Sequence, residues 1–333
     1  MVQCVSFLCK INENYNIYNE DWELQKISRW KKRNLWFFGA LILTVLLGII
    51  VILHGVLSPK TPRISYDRRN DYTLMEKIYV SDAAKKLPKK GGLFCWVQTS
   101  KIYHDTRSLA INETWIHRCD HGQLFTSEKF NDSDIPYSTV FAGIPDDYYN
   151  LFFKSRFAFH YIYSHISPDF DWYMKADDDT FVIVENLQEY LSHLNPNEPH
   201  YLGYTLKPYL DKGYNAGGAG YVLSRAALKI FAENLYYNET ACPDDIYEDV
   251  GIARCLQSAG IYPEDTRNSK GQNRFNTFSP SNTFHQLKAN IEWVKYKENK
   301  GYEAFANDLI SFHHLTPDEI RLFDILLYRT KVA

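Results

Sequence analysis

Apolar residues recur along this chain in three rhythms, and each predicts a different element. The first is continuous: residues 35–53 contain no charged side chain and have about the length of a bilayer-crossing helix. The second is short and β-prone, as in 93–99, 123–126 and 221–223, which read as strands. The longest of this kind, 171–184, drives an aromatic and apolar lead-in straight into Asp177, Asp178 and Asp179. The third rhythm is helical. Phe152, Phe153, Phe157, Phe159 and Tyr161 mark 148–163 as a core helix, and shorter helices are expected over 186–193, from a Ser224 cap to Asn234, and through Val250, Ile252, Ala253 and Leu256 to a stop at Gly260. Strands alternating with helices predict an α/β domain with a largely parallel sheet, in which ligands collect at strand ends.

Charge orients the continuous run. Arg29, Lys31, Lys32 and Arg33 lie directly before it and Ser58, Pro59 and Lys60 after it, so the basic side predicts a cytoplasmic N-terminus and a lumenal remainder. The run starts too far into the chain, is too long, and lacks the small-residue site of a cleaved signal peptide. Three N-glycosylation tripeptides, at Asn112, Asn131 and Asn238, follow it, as do four of the six cysteines, Cys95, Cys119, Cys242 and Cys255. Four cysteines allow three pairings; the shortest loops join Cys95 to Cys119 and Cys242 to Cys255. The expected organisation is a cytoplasmic tail over 1–34, a transmembrane signal-anchor over 35–57, a stem over 58–90 rich in proline and lysine, and a catalytic domain over 91–333. A formal net charge of -3 on 333 residues gives no reason to expect nucleic acid as a partner.

Three adjacent carboxylates at a strand end call for a cation. A period of two puts Asp177 and Asp179 on one face and Asp178 on the other. The converging charges suit a divalent metal and, through it, a phosphate-bearing substrate. A solvated acidic turn is the bland alternative; the apolar stretches on both sides argue against it, and an EF-hand loop lacks its Gly and Glu. The glycines of 213–224 match no GxGxxG and predict backbone lying close to a ligand or tightly against another element. A second acidic cluster, Asp244, Asp245, Glu248 and Asp249, precedes the 250–256 helix. Asp249 reads as a helix-start residue or, fixed there in ionised form, as a general base. Thr99 and Lys154 are candidates for nucleotide contacts, Lys154 with an equal claim as a solvated helix residue.

Lys175-Ala176-Asp177-Asp178-Asp179-Thr180, Gly217-Gly218-Ala219-Gly220-Tyr221-Val222-Leu223-Ser224 and Glu248-Asp249-Val250 with Arg254-Cys255-Leu256 follow one another in order. With Phe94-Cys95-Trp96-Val97, Thr114-Trp115, Arg118-Cys119 and Ser311-Phe312-His313, they resemble the core 1 β-1,3-galactosyltransferases of glycosyltransferase family 31. The likeness covers roughly residues 91–284. It implies a single-pass type II Golgi membrane enzyme of GT-A fold that uses Mn²⁺ and transfers galactose from UDP-galactose to O-linked N-acetylgalactosamine on glycoproteins. The sequence leaves the oligomeric state open, a homodimer being one option. The likeness also implies roles: Asp177 and Asp179 at the metal and nucleotide, His313 in the metal shell, and Asp249 as base of an inverting transfer. Asp178, Thr99, Lys154, Gly217 and Gly218 are further candidates beside the nucleotide-sugar, and Tyr221, Glu248 and Trp293 at the acceptor. Where the family carries a Trp-rich stretch and a vicinal cysteine pair, residues 291–296 supply Trp293 and no cysteine, which leaves acceptor recognition open. Two other readings share these residues: a family 31 transferase with another donor or acceptor, such as a fringe-like N-acetylglucosaminyl transfer, and a non-catalytic chaperone-like homologue. The presence of Asp177, Asp179, Asp249 and His313 argues against the second.

Overall fold

The computed structural model describes Trp30, Asn34, residues 36–49, Arg68, and residues 71–131, 134–286 and 292–331. The chain divides into two compact units, Met1–Ser65 and Tyr66–Ala333. In the first, residues 36–49 are helical, and large apolar side chains such as Trp36, Phe37 and Leu41 are exposed. Of the expected 35–57 span, Leu35 and residues 50–57 lie outside the described residues. Among the described residues no helix is long and apolar enough to cross a membrane.

The second unit begins earlier than the expected domain start at Gly91. Arg68 is buried and donates to the carbonyls of Tyr236 (2.9 Å) and Cys242 (2.5 Å), Leu74 and Ala84 are buried, and Val80 bridges to Ser138. Residues 71–90, read as stem from their charge and proline content, therefore belong to the folded unit. A few well-spaced apolar and hydrogen-bonding positions between the lysines offset the entropy of ordering them.

Eleven strands are described: β1 (Lys90–Gln98), β2 (His121–Phe125), β3 (Tyr137–Ser138), β4 (Asp169–Asp177), β5 (Phe181–Val182), β6 (Tyr201–Gly203), β7 (Thr205–Leu206), β8 (Tyr214–Asn215), β9 (Tyr221–Ser224), β10 (Phe275–Asn276) and β11 (Ser311–Phe312). The central sheet has the order β3-β2-β1-β4-β9-β6. Its β1–β2, β2–β3 and β1–β4 pairs are parallel, and β9 runs antiparallel to both β4 and β6. The largely parallel expectation is thus met by a mixed sheet with one reversed strand. The β6-to-β9 return passes through the β7–β8 hairpin without a helix, and parallel neighbours need a longer, usually helical crossover.

Side chains alternate across this sheet. Phe94, Trp96 and Tyr173 enter one core layer, and Leu93, Cys95, Val97, Trp172, Met174 and Ala176 the other. The first layer is covered by the Leu151–Tyr161 and Glu248–Ser258 helices. Residues 152–161 of the former are all buried, as suits a helix whose aromatics recur on every side. The second layer is covered by Leu109–Glu113, Val184–Ser192 and Pro317–Asp324. Disulfides join Cys95 to Cys119 and Cys242 to Cys255, closing loops with sequence separations of 24 and 13, each worth roughly 3 kcal/mol by loop closure. Asn131 and Asn238 are exposed, whereas Asn112 is half-buried within a helix and its Thr114 is buried, donating to Ala110 O at 2.6 Å.

Candidate active site

β4 ends at Asp177, and Asp178 and Asp179 occupy the turn that follows, which the Thr180 amide closes on the Asp177 carbonyl at 3.2 Å. Turn geometry, not the strand period, therefore decides where Asp178 and Asp179 point. Asp177 meets the Lys175 ammonium at 2.5 Å. Asp178 accepts from Thr99 Oγ1 (2.7 Å) and Arg107 Nη1 (3.0 Å). Asp179 presents Oδ1 to His313 Nε2 (3.1 Å) and Oδ2 to Arg107 Nη1 (3.3 Å). The expected convergence of Asp177 with Asp179 is replaced by a different group. Among the described residues, Asp179, His313 and His314 bring their ligand atoms within 4.8 Å of one another, and Asp177 stands outside that set.

Distant segments hold this turn in place. Trp115 is buried and donates from Nε1 to Thr180 O at 2.9 Å, and Thr180 Oγ1 donates to Gly218 O at 2.6 Å. The small sheet β10-β11-β5 carries the C-terminal histidines to it: β11 pairs with β5, and the Leu315 amide donates to Asp179 O at 3.0 Å. Gly218 lies so close to His313 that a Cβ there would fall 1.9 Å from the imidazole Cε1, and a Cβ on Gly217 would fall 2.4 Å from Glu248 Oε2. The glycine segment is thus packed against other site elements, the second of the two expectations for it.

A buried ammonium organises the other half of the site. Lys175, on β4 beside β9, contacts Asp177 and lies 3.8 Å from Glu248 Oε2 and 3.4 Å from Gly217 O. Burial would lower its affinity for the proton, but Asp177, Glu248 and Asp249 outweigh that and hold it well above its ordinary value. Asp249 is the second residue of the Glu248–Ser258 helix and not its cap: Tyr247 holds the cap position and makes no side-chain cap bond. Asp249 instead accepts from the amides of Val250 (2.9 Å) and Gly217 (3.5 Å). Burial, and next the Glu248 charge, raise its carboxyl to about 7. Burial likewise pushes Asp178 up to about 6 against the bonds from Thr99 and Arg107. For Asp179 burial also acts upward, but His313, Arg107 and His314 outweigh it and keep the carboxyl below its usual value.

This donor set fits a divalent cation. Asp179 is held ionised, and the His313 ring faces two oxygens, Thr277 O from Nδ1 at 3.2 Å and Asp179 Oδ1 from Nε2 at 3.1 Å; a cation between Asp179 and the ring would replace the second contact while the first keeps the ring oriented. His314 Nδ1 lies 4.0 Å from Asp179 Oδ2, its ring stacked on His313 with centroids 3.8 Å apart. Carboxylate and imidazole together suit first-row transition metals.

Other expected residues are placed differently. Tyr221 is fully buried because β9 lies between β4 and β6; it donates to Glu248 Oε1 at 2.7 Å, so it supports a site residue from beneath and offers no acceptor surface. Glu248 is buried as well. Lys154 is buried and paired with Asp146, which also accepts from Ser127 Oγ at 3.0 Å. Trp293 is 40% exposed and meets the Tyr209 ring edge-on at 5.9 Å, and Tyr209 stacks on Tyr247 at 5.5 Å. An aromatic surface thus runs from Trp293 to the helix start that carries Asp249. Its neighbour Val294 bridges to Leu206 and is half-buried. Arg107, His314 and Tyr209 join the candidate site by position and were missed by sequence reasoning; only His314, next to His313, carried a local signal.

Residues 89–266 match the Fringe-like family model. The chain is 31% identical over 258 residues to glycoprotein-N-acetylgalactosamine 3-beta-galactosyltransferase 1 of Xenopus laevis, covering 75% of this chain and 70% of that one. It is 29% identical over 195 residues to human chondroitin sulfate synthase 3, covering 54% of this chain but 22% of that protein. Among solved structures it is similar, at a TM-score of 0.41 and 12% identity, to the galactosyltransferase LgtC in complex with donor and acceptor sugar analogs, over 72% of this chain and 97% of that one. The family match and the Xenopus relative agree with the motifs around Asp179 and Asp249: the chain belongs to the Fringe-like family and groups there with the core 1 β-1,3-galactosyltransferases of glycosyltransferase family 31.

Proposed function

We propose that this chain is a UDP-sugar-dependent, inverting β-1,3-galactosyltransferase that acts on N-acetylgalactosamine-bearing glycoproteins on a GT-A-type scaffold. The observation that carries the reading is that a carboxylate–imidazole set (Asp179, His313, His314) and a carboxyl raised to about 7 (Asp249) are gathered by one sheet, the first at the end of β4 and the second across Gly217 and Lys175 from it. The acceptor hydroxyl gives its proton to the Asp249 carboxylate as its oxygen bonds to the anomeric carbon, and the bond from that carbon to UDP breaks on the opposite face, inverting configuration. General-base assistance of this kind contributes roughly 10²- to 10⁴-fold. The amides of Val250 and Gly217, and after them Lys175, keep Asp249 ionisable near neutral pH. Asp177, Glu248 and Asp249 outnumber Lys175 in charge, a field that favours positive charge at the anomeric centre.

Asp179 and His313, with His314, would hold a divalent cation, Mn²⁺ in this reading, which when bound neutralises charge on the diphosphate. Trp293 and Tyr209 offer a face on which an acceptor sugar stacks. The resemblance, the two disulfides and the exposed Asn131 and Asn238 support a lumenal domain of a type II Golgi membrane protein. A panel of UDP-sugars offered to the full-length protein with an N-acetylgalactosamine glycopeptide tests the activity. UDP release and transfer are expected from UDP-galactose and lost in EDTA; transfer from UDP-N-acetylglucosamine alone would replace this donor assignment with the fringe-like one.

A further inference from the structure

Arg107 plays no part in the chemistry above, yet its guanidinium is clamped into the metal end of the site. Nη1 lies 3.0 Å from Asp178 Oδ1 and 3.3 Å from Asp179 Oδ2, and Cζ sits 4.2 Å over the Tyr103 ring. Asp179 Oδ2 is also the oxygen that faces His314 Nδ1. A cation taken up by Asp179 and the histidines must therefore draw on a carboxylate that Arg107 already neutralises, and two cations on one carboxylate repel. The carboxylates cannot yield: their side chains are only 7% and 13% exposed and are pinned by Thr99, His313 and the turn. Arg107, at 32% exposure, can. Its fork-shaped donor set matches phosphate oxygens, so a nucleoside diphosphate offers it a replacement partner.

We propose that Arg107 is the resident counter-cation of the Asp178–Asp179 turn, and that a divalent cation and a nucleoside diphosphate displace it together, each binding weakly without the other. This rests on the metal reading of Asp179 and His313. It makes the coupling between metal and nucleotide a property of one side chain.

Calorimetry on the full-length protein without acceptor separates this role from mere support of the turn. Mn²⁺ alone, UDP alone and Mn²⁺ in saturating UDP are titrated into the parent, Arg107→Gln and Arg107→Lys. Arg107→Gln is expected to bind Mn²⁺ alone about tenfold tighter or more, and the factor by which UDP tightens Mn²⁺ should fall about tenfold; Arg107→Lys keeps most of the coupling as a point charge. Unchanged or weaker binding of Mn²⁺ alone by Arg107→Gln would overturn the proposal and leave Arg107 as a structural brace. If the parent binds no Mn²⁺ even with UDP present, the metal reading itself fails, and the inference with it.

Discussion

Replacing Asp249 by Asn removes one proton acceptor while keeping shape, and it should separate catalysis from stability. With the Asp249 carboxyl at about 7, about a tenth of the sites are ionised at pH 6 and about nine-tenths at pH 8, so kcat/KM of the parent should rise roughly tenfold across that interval. Asp249→Asn should lose about 10²- to 10⁴-fold in kcat and lose this rise, with UDP binding intact. Stability moves the other way. The folded-state value, about 7, exceeds the model-peptide 3.8, so the native state holds a proton that the unfolded chain gives up, and stability is lost as pH rises from about 4 to about 7. A shift of about three units bounds the effect near 4 kcal/mol. Because Asn replaces an acceptor of two amide bonds imperfectly, a gain of order 1–2 kcal/mol at pH 8 and none at pH 4 is expected. Coupled UDP-release kinetics and thermal melts at both pH values measure the two halves. A mutant kcat within a few-fold of the parent, or a flat parent profile between pH 6 and 8, would refute the base assignment.

Three more outcomes follow from the same geometry. Lys175→Met removes the cation nearest Asp177 and Glu248, so the midpoint of the kcat/KM profile should move upward from about 7 and the protein should lose about 3–5 kcal/mol; a midpoint that stays put would show that Lys175 does not tune Asp249. His313→Ala should weaken UDP binding in Mn²⁺ at least about tenfold and leave the residual binding insensitive to EDTA, and equal EDTA sensitivity in parent and mutant would remove His313 from the metal. Trp293→Ala should raise the acceptor KM about three- to tenfold, the worth of one aromatic contact, with the donor KM within about twofold; equal effects on both would take Trp293 out of the acceptor site.

Much of this site was legible because its signals are local. The alternation through 171–177 is what β4 does in the sheet, the aromatics of 152–161 do form a buried helix although Tyr148 and Tyr149 stay exposed ahead of it, and the shortest-loop cysteine pairing is the one formed. Legibility failed where the chain leaves regular structure. The strand period was carried across Asp178 and Asp179, which lie in a turn, so it could not show that Asp177 meets Lys175 while Asp179 meets His313. Tyr221 was a candidate for the acceptor site, but strand order buries it between β4 and β6, which no local pattern encodes. Arg107 reaches Asp178 from 71 residues away, a pairing without periodicity. His313 was found through a family motif; the β11–β5 pairing supplies its physical reason.

The most direct measurement is analysis of the product formed by the full-length protein from UDP-galactose, Mn²⁺ and a glycopeptide bearing a single O-linked N-acetylgalactosamine. The expected product carries one added galactose in β-1,3 linkage, is released by a β-1,3-specific galactosidase, and disappears with Asp249→Asn or EDTA. An α-linked product, or an unmodified glycopeptide after UDP-galactose has been supplied with metal, would contradict the assignment of Asp249 as the base of an inverting galactosyl transfer.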